Sequence, residues 1–336
     1  MRVNESSFSP AFAEAGTGRH NEIIMAKRKR YRIGLALGAG GARGLAHLGV
    51  LKVLDQEQIR VDIIAGASIG ALVGGAYASG ITPDELITKV EEYLKSPEFQ
   101  SSAIKAIEDA HARGEVGLGQ KIQSYVMNRY YLVQALFKPA VLSKEDFEAM
   151  IQHFIPDIDI EATRIPFRAV STDLVTGEQI VFSSGSLRQA VMASCAMPGA
   201  IEPLRDGDML LSDGGIICLV PSSTVRKEGA ELVVAVAVDR DICTEMEFRT
   251  AMTIYTRVCD IMANRLKTQE LMDADIIIRP EVGDLHWSEF SQALSLVEAG
   301  EQAARESLEA IRHVMPGRKK WFTLWQILSS HRGEDH

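Results

Sequence analysis

The chain has 336 residues, 46% of them apolar, enough to bury one large core or two modest ones. A formal net charge of −9 argues against a general nucleic-acid binder. The four cysteines, Cys195, Cys218, Cys243 and Cys259, form neither a CxxC pair nor a cluster with histidine, so no metal and no disulfide framework is expected, and reduced core thiols fit a cytoplasmic protein.

Residues 1–30 lack the basic start and apolar run of a signal peptide and read as a polar, disordered leader ending in Lys27-Arg28-Lys29-Arg30, with Met25 an alternative start. No apolar stretch approaches the ~18 residues of a spanning helix. From Tyr31 onward short apolar runs alternate with helical periodicities. That pattern predicts a three-layer α/β/α fold with a largely parallel central sheet over residues 31–315. Strands are expected at Ile33–Leu37, Asp62–Ala65, Phe167–Thr172, Gln179–Phe182, Met209–Ser212, Leu232–Val238 and Ile276–Arg279. Helices are expected to begin near Gly44, Ile69, Pro83, Lys144, Leu187, Glu245 and Glu289. Two starts are well signalled: Thr82-Pro83-Asp84-Glu85 has a Thr cap, Pro at the first helical position and Glu three residues on, and Ser143-Lys144-Glu145-Asp146 resembles it. Residues 95–142 break the alternation and are expected to form a lid insertion or substrate wall.

The first strand runs into Gly38-Ala39-Gly40-Gly41-Ala42-Arg43-Gly44, and two readings of this loop compete. A dinucleotide fingerprint needs a glycine where Ala39 stands and an acid at the end of the second strand, but Asp62 begins that strand. The alternative is an oxyanion hole, in which glycine frees backbone N–H groups to point into one concavity above a helix N-terminus. Arg43 in the first helical turn is opposed by the helix dipole, which suggests an anionic partner or a packing role.

The second strand ends in Gly66-Ala67-Ser68-Ile69-Gly70 and turns at once into a small-residue helix. A strand-to-helix elbow of this form exposes the Ser68 hydroxyl, and Gly66 and Gly70 keep the crowded backbones apart. The bland alternative is a helix simply capped by Ser68. In a parallel sheet the elbow and the glycine loop open on the same edge.

A serine nucleophile needs a base. His286 follows Ser68 and Asp213 in the order used by α/β-hydrolases, but those enzymes place several strands before the nucleophile, and here one precedes it. His47 reads as a packing residue. Asp213, in Leu211-Ser212-Asp213-Gly214-Gly215, has apolar flanks that would desolvate it and make it a stronger base. An ordinary Asp-Gly turn, as at Asp206-Gly207, is the competing reading, and Asp173 and Asp239 are fallback acids.

Taken together, the glycine loop with Arg43, the Ser68 elbow, Asp213-Gly214-Gly215 and the segment Ala193-Ser194-Cys195-Ala196-Met197-Pro198-Gly199 resemble the patatin-like phospholipases, and most closely the bacterial branch related to neuropathy target esterase. The resemblance spans roughly Arg32 to Asp239. It implies a Ser68–Asp213 dyad without histidine, and an oxyanion hole of the Gly40 and Gly41 amides supported by Arg43. It also implies no cofactor and a lipid acyl ester, phospholipid or lysophospholipid, as substrate. Ala39 departs from the glycine often found there, which matters only if that position needs a positive φ. A soluble short-chain carboxylesterase and a non-catalytic lipid-binding module on the same fold are the alternatives.

Residues 316–336 form a basic-aromatic tail. On a helix Trp321, Leu324, Trp325 and Leu328 share one face behind Arg318-Lys319-Lys320, which suits peripheral membrane contact through residues 318–328. Docking on the chain's own domain or on a second subunit is the alternative, and oligomeric state is not readable.

Overall fold

The computed structural model describes residues 31–112, 142–239, 242 and 250–315. The leader at 1–30, residues 113–141 of the insertion and the tail at 316–336 lie outside the described residues, so the expectations placed on them find no counterpart below.

The described strands are β1 (Tyr31–Leu37), β2 (Ile63–Ala67), β3 (Phe167–Asp173), β4 (Gln179–Phe182), β5 (Leu204–Asp206), β6 (Met209–Asp213), β7 (Ala230–Val236) and β8 (Ile276–Ile278). They form one sheet in the order β5-β6-β3-β2-β1-β7-β8, with β4 on β3. The pairings among β1, β2, β3, β7 and β8 are parallel, while β4, β5 and β6 add an antiparallel corner. The central strands are continuous apolar runs because helices cover both faces.

The helices are α1 (Ala46–Gln56), α2 (Ile69–Ser79), α3 (Pro83–Lys95), α4 (Pro97–Gln100), α5 (Ala103–Ala112), α6 (Lys144–Phe154), α7 (Leu187–Ser194), α8 (Ser222–Lys227), α9 (Ala251–Glu270) and α10 (Ala293–Val314). One sheet face carries large side chains, among them Leu35, Leu37, Ile64, Val234 and Val236, in a single cluster with residues of α1, α2, α3 and α10. The other carries Ala36, Ala65 and Ala235 beneath Val225 of α8. Packing there is so close that a methyl on Gly34 would fall 2.0 Å from Val225 Cγ1. Likewise α10 lies almost backbone to backbone on α1, since a methyl on Gly300 would fall 1.9 Å from the Ala46 carbonyl oxygen.

Three short elements were not anticipated: β5, α4 and α8. β5 is three residues of a hairpin whose turn is Gly207-Asp208, and α8 is six residues, too short to show a period. Helix starts also shift. A 3-10 turn, Gly41–Leu45, delays α1 to Ala46, and another, Phe290–Gln292, delays α10 to Ala293; α9 begins at Ala251, where Thr250 and Thr253 form a capping box, and the start expected near Glu245 lies outside the described residues.

One feature of the sheet positions the chemistry. β2 pairs with β3 as far as Val170, and β6 pairs with β3 from Ser171 onward. Because β4 holds the opposite edge of β3 across both stretches, β6 must occupy the same edge as β2, past its end. The last residue of β6, Asp213, therefore arrives head-on at the point where β2 turns away into α2.

Candidate active site

Ser68 sits at that turn with φ 53 and ψ −126. Gln58 is the only other non-glycine residue with positive φ among the described residues. Such a backbone costs of order 1–3 kcal/mol and persists only where its surroundings impose it. Here the Ser68 N–H donates to Ser194 Oγ at 2.9 Å, and Ser194 Oγ donates in turn to the Val170 carbonyl at 2.5 Å. The Ser68 carbonyl accepts from Ala71 N at 2.8 Å and from Cys195 Sγ at 3.1 Å. The flanking positions admit no side chain: a methyl on Gly66 would lie 2.3 Å from the Gly70 oxygen, and one on Gly70 2.2 Å from the Leu37 oxygen. Ser68 does not cap α2 with its side chain. Its Oγ instead donates to Asp213 Oδ2 at 2.5 Å.

Asp213 is 5% exposed. Its Oδ1 accepts from the Gly215 N–H at 2.7 Å, its own N–H donates to the Ala196 carbonyl at 2.9 Å, and its carbonyl accepts from Thr172 Oγ1 at 2.8 Å. Burial pushes the carboxyl up to about 6, against the opposing pull of the bonds from Ser68 and Gly215. The group is thus held in one orientation and is more basic than an exposed aspartate.

The glycine loop completes the arrangement. Gly38, Ala39 and Ala42 commit their amides to the carbonyls of Val236, Leu219 and Trp287 at 3.0, 2.8 and 2.7 Å. Among the described residues no acceptor takes the amides of Gly40 and Gly41. Arg43 Nε donates to the Gly40 carbonyl at 3.1 Å, and because a trans peptide points its C=O and N–H in opposite directions, this bond aims the Gly41 N–H away from Arg43. Gly41 has φ +60, and a methyl on it would lie 2.5 Å from the Trp287 oxygen. Ala39 has no positive φ, so its alanine is unstrained. It touches the aspartate turn, since a methyl on Gly215 would fall 3.0 Å from Ala39 Cβ. Buried His47 pairs through Nε2 with the Gly38 carbonyl at 2.8 Å, and burial lowers its pKa to about 4, so it braces the loop as a neutral ring.

Ser68 and Gly41 line a cavity of about 130 Å³ whose walls are almost wholly apolar. Leu72 and Val73 of α2, Leu86 and Val90 of α3, and Phe147, Met150 and Phe154 of α6 contribute, with Trp287 and Phe290 near the loop. Phe99 and Ile104 place the described part of the insertion in this wall. The remaining candidates lie elsewhere. Asp62 binds the Ile33 amide at the opposite end of the sheet, Asp173 closes its own turn through Val175, Thr176 and Leu210, and Asp239 pairs with Lys267 at 2.8 Å. His286 pairs with Ser288 Oγ, and no histidine bonds Ser68 or Asp213 among the described residues. Nor do three His, Cys, Asp or Glu side chains cluster there in a way that could hold a metal ion.

Residues 35–221 match the family model described as patatin-like phospholipase. The chain belongs to that family. An uncharacterized NTE family protein of Mycobacterium tuberculosis, Rv2565, is 26% identical over 302 residues, which cover 83% of this chain and 46% of that protein. Patatin-like phospholipase domain-containing protein 6 of Mus musculus is 31% identical over 209 residues, 61% of this chain and 13% of that one. The chain therefore spans about half or less of the length of these relatives. Among solved structures, VipD from Legionella pneumophila is similar at 16% identity and a TM-score of 0.43, covering 83% of this chain and 66% of that one. No described helix is long and apolar enough to cross a membrane.

Two contributors to the site act through contacts that the sequence does not announce, although Ser194 lies in a segment that carries the family resemblance. Ser194 stands 126 residues from the serine whose amide it receives, and Trp287 holds the glycine loop through a backbone carbonyl, which leaves no mark on residue type.

Proposed function

We propose that the chain is a serine acyl hydrolase cleaving the carboxylic ester bonds of phospholipids or lysophospholipids through an acyl-enzyme. The reading rests above all on the 2.5 Å bond to a buried carboxylate from the Oγ of Ser68, a residue that lines an apolar cavity. Asp213 accepts the Ser68 proton as Oγ attacks the acyl carbonyl. The amides of Gly40 and Gly41 receive the oxyanion of the tetrahedral intermediate, with Arg43 fixing the peptide plane that carries the Gly41 amide. The protonated Asp213 then gives its proton to the departing alcohol. A water molecule, deprotonated by the same carboxylate, releases the acid and restores Ser68. The acyl chain occupies the cavity, and residues 318–328 make peripheral contact with the lipid surface.

A fluorophosphonate probe tests the nucleophile. Labelling of the wild type and its loss in Ser68→Ala is the expected result, whereas equal labelling of both, or undiminished ester hydrolysis by Ser68→Ala, removes the proposal. Failure of the wild type to label favours the non-catalytic module. Rates across an ester series of increasing acyl length separate a lipase from a short-chain carboxylesterase. Vesicle sedimentation with and without residues 316–336 tests the tail, and equal binding rules it out.

A further inference from the structure

The base of α9 is tied directly behind the glycine loop. Lys267 pairs with Asp239, next in sequence to the Val238 side chain that packs on Gly40, and Glu270 Oε2 accepts from the Val220 amide at 2.9 Å. Leu271 then enters the cluster of Val225, Val233 and Ala235, and the chain continues into β8, parallel to β7. This order of contacts aligns the end of α9 with the strands, so its earlier turns extend past the edge of the sheet where Ser68 and Asp213 lie.

Those turns stand clear of the body. Ile254, Tyr255, Val258, Ile261 and Met262 are all exposed, Tyr255 by 67% and Met262 by 66%. Their spacing puts them in one stripe along the helix. Other apolar side chains are exposed at the same edge: Val175, in the turn beyond β3, and Ile216, three residues after Asp213. Apolar groups from separate elements thus ring the catalytic edge.

We infer that this edge is the contact surface for a lipid bilayer or micelle, with the first three turns of α9 lying in the interface. The inference rests on the reading of the substrate as a lipid. The five side chains of the stripe expose on the order of 500 Å², short of the roughly 800 Å² per partner of a standard stable interface, so a second copy fits less well. A lipid surface needs no matching partner face: an interfacial helix buries its apolar side by only ~5–10 Å, and the same surface presents the ester to the cavity mouth.

The test uses the full chain carrying Ile254→Ser, Tyr255→Ser and Met262→Ser together. Binding to phosphatidylcholine vesicles, with and without phosphatidylglycerol, is measured in a Ser68→Ala background. Hydrolysis is compared between vesicle phospholipid and a soluble short-chain ester. Vesicle binding and vesicle-lipid hydrolysis are expected to fall about tenfold or more, while the rate on the soluble ester, which also reports the fold, stays within about twofold. Retained vesicle binding overturns the inference. So does a wild-type dimer that the substitutions convert to monomer without loss of vesicle binding, which makes the stripe an interface between copies. If the triple variant loses the soluble-ester rate as well, Tyr255→Ser alone carries the same comparison. Should the wild type hydrolyse neither ester, the catalytic reading falls, while the vesicle arm still decides the surface.

Discussion

Asp213→Asn separates the chemical and the structural consequences of the buried carboxylate. As the proposed base, Asp213 must be ionised, so kcat/KM of the wild type is expected to rise with pH through a limb near 6, the value to which burial pushes the group. The asparagine variant should lose the limb and on the order of 10²–10⁴ in rate. The stability effect has the opposite sign. An acid raised from 3.8 to about 6 on folding has its full stability below the unfolded value and loses it as pH rises through the folded one. Roughly two pKa units at about 1.36 kcal/mol each make ionisation in place cost about 3 kcal/mol by pH 8, as an upper bound. Asparagine removes that cost. Its amide NH2 can donate to Ser68 Oγ while its oxygen keeps the bond from Gly215. Urea unfolding at pH 4.5 and pH 8 is the assay, with Asp213→Asn gaining on the wild type by up to ~2 kcal/mol between the two, since about 1 kcal/mol of the change falls below pH 4.5. A difference that does not change with pH, together with a flat wild-type rate profile from pH 5 to 7, would refute the reasoning.

Gly41→Ala should lower kcat by ~10²–10³, because the new methyl meets the Trp287 oxygen and the φ of +60 disfavours alanine, both displacing the donor amide. Steady-state kinetics with circular dichroism separates this from unfolding. Ser194→Ala leaves the Ser68 amide buried without its acceptor and should destabilise the chain by about 1–3 kcal/mol, measured by chemical denaturation. Leu86→Trp narrows the cavity, and an ester series should show long acyl chains losing at least about tenfold more rate than acetate.

Much of the site was readable because its crowding is written in residue type. Gly66 and Gly70 are small since backbone lies within 2.3 Å of where a side chain would begin, and Asp213 is recognisable by the Gly-Gly turn that folds back onto its carboxylate. The parallel core was equally legible, since strands covered on both faces are continuous apolar runs. What remained hidden depends on neighbours far apart in sequence. Nothing local tells that β6 joins the same edge of β3 as β2, that Ser194 receives the Ser68 amide, or that the Trp287 carbonyl shapes the loop. β5, α4 and α8 were missed for a simpler reason, being three, four and six residues long.

The shared edge of β3 also orders events during synthesis. The glycine loop and the elbow leave the ribosome together, but the carboxylate that completes the pair follows Ser68 by 145 residues, roughly 7–30 s later at ordinary translation rates. Until then the hydroxyl has no base and the edge of β3 past Val170 has no strand on it. On the proposed mechanism a nascent chain is therefore inert toward the lipids around it at least until one antiparallel strand has docked, and the glycine loop still awaits the carbonyls of Val236 and Trp287.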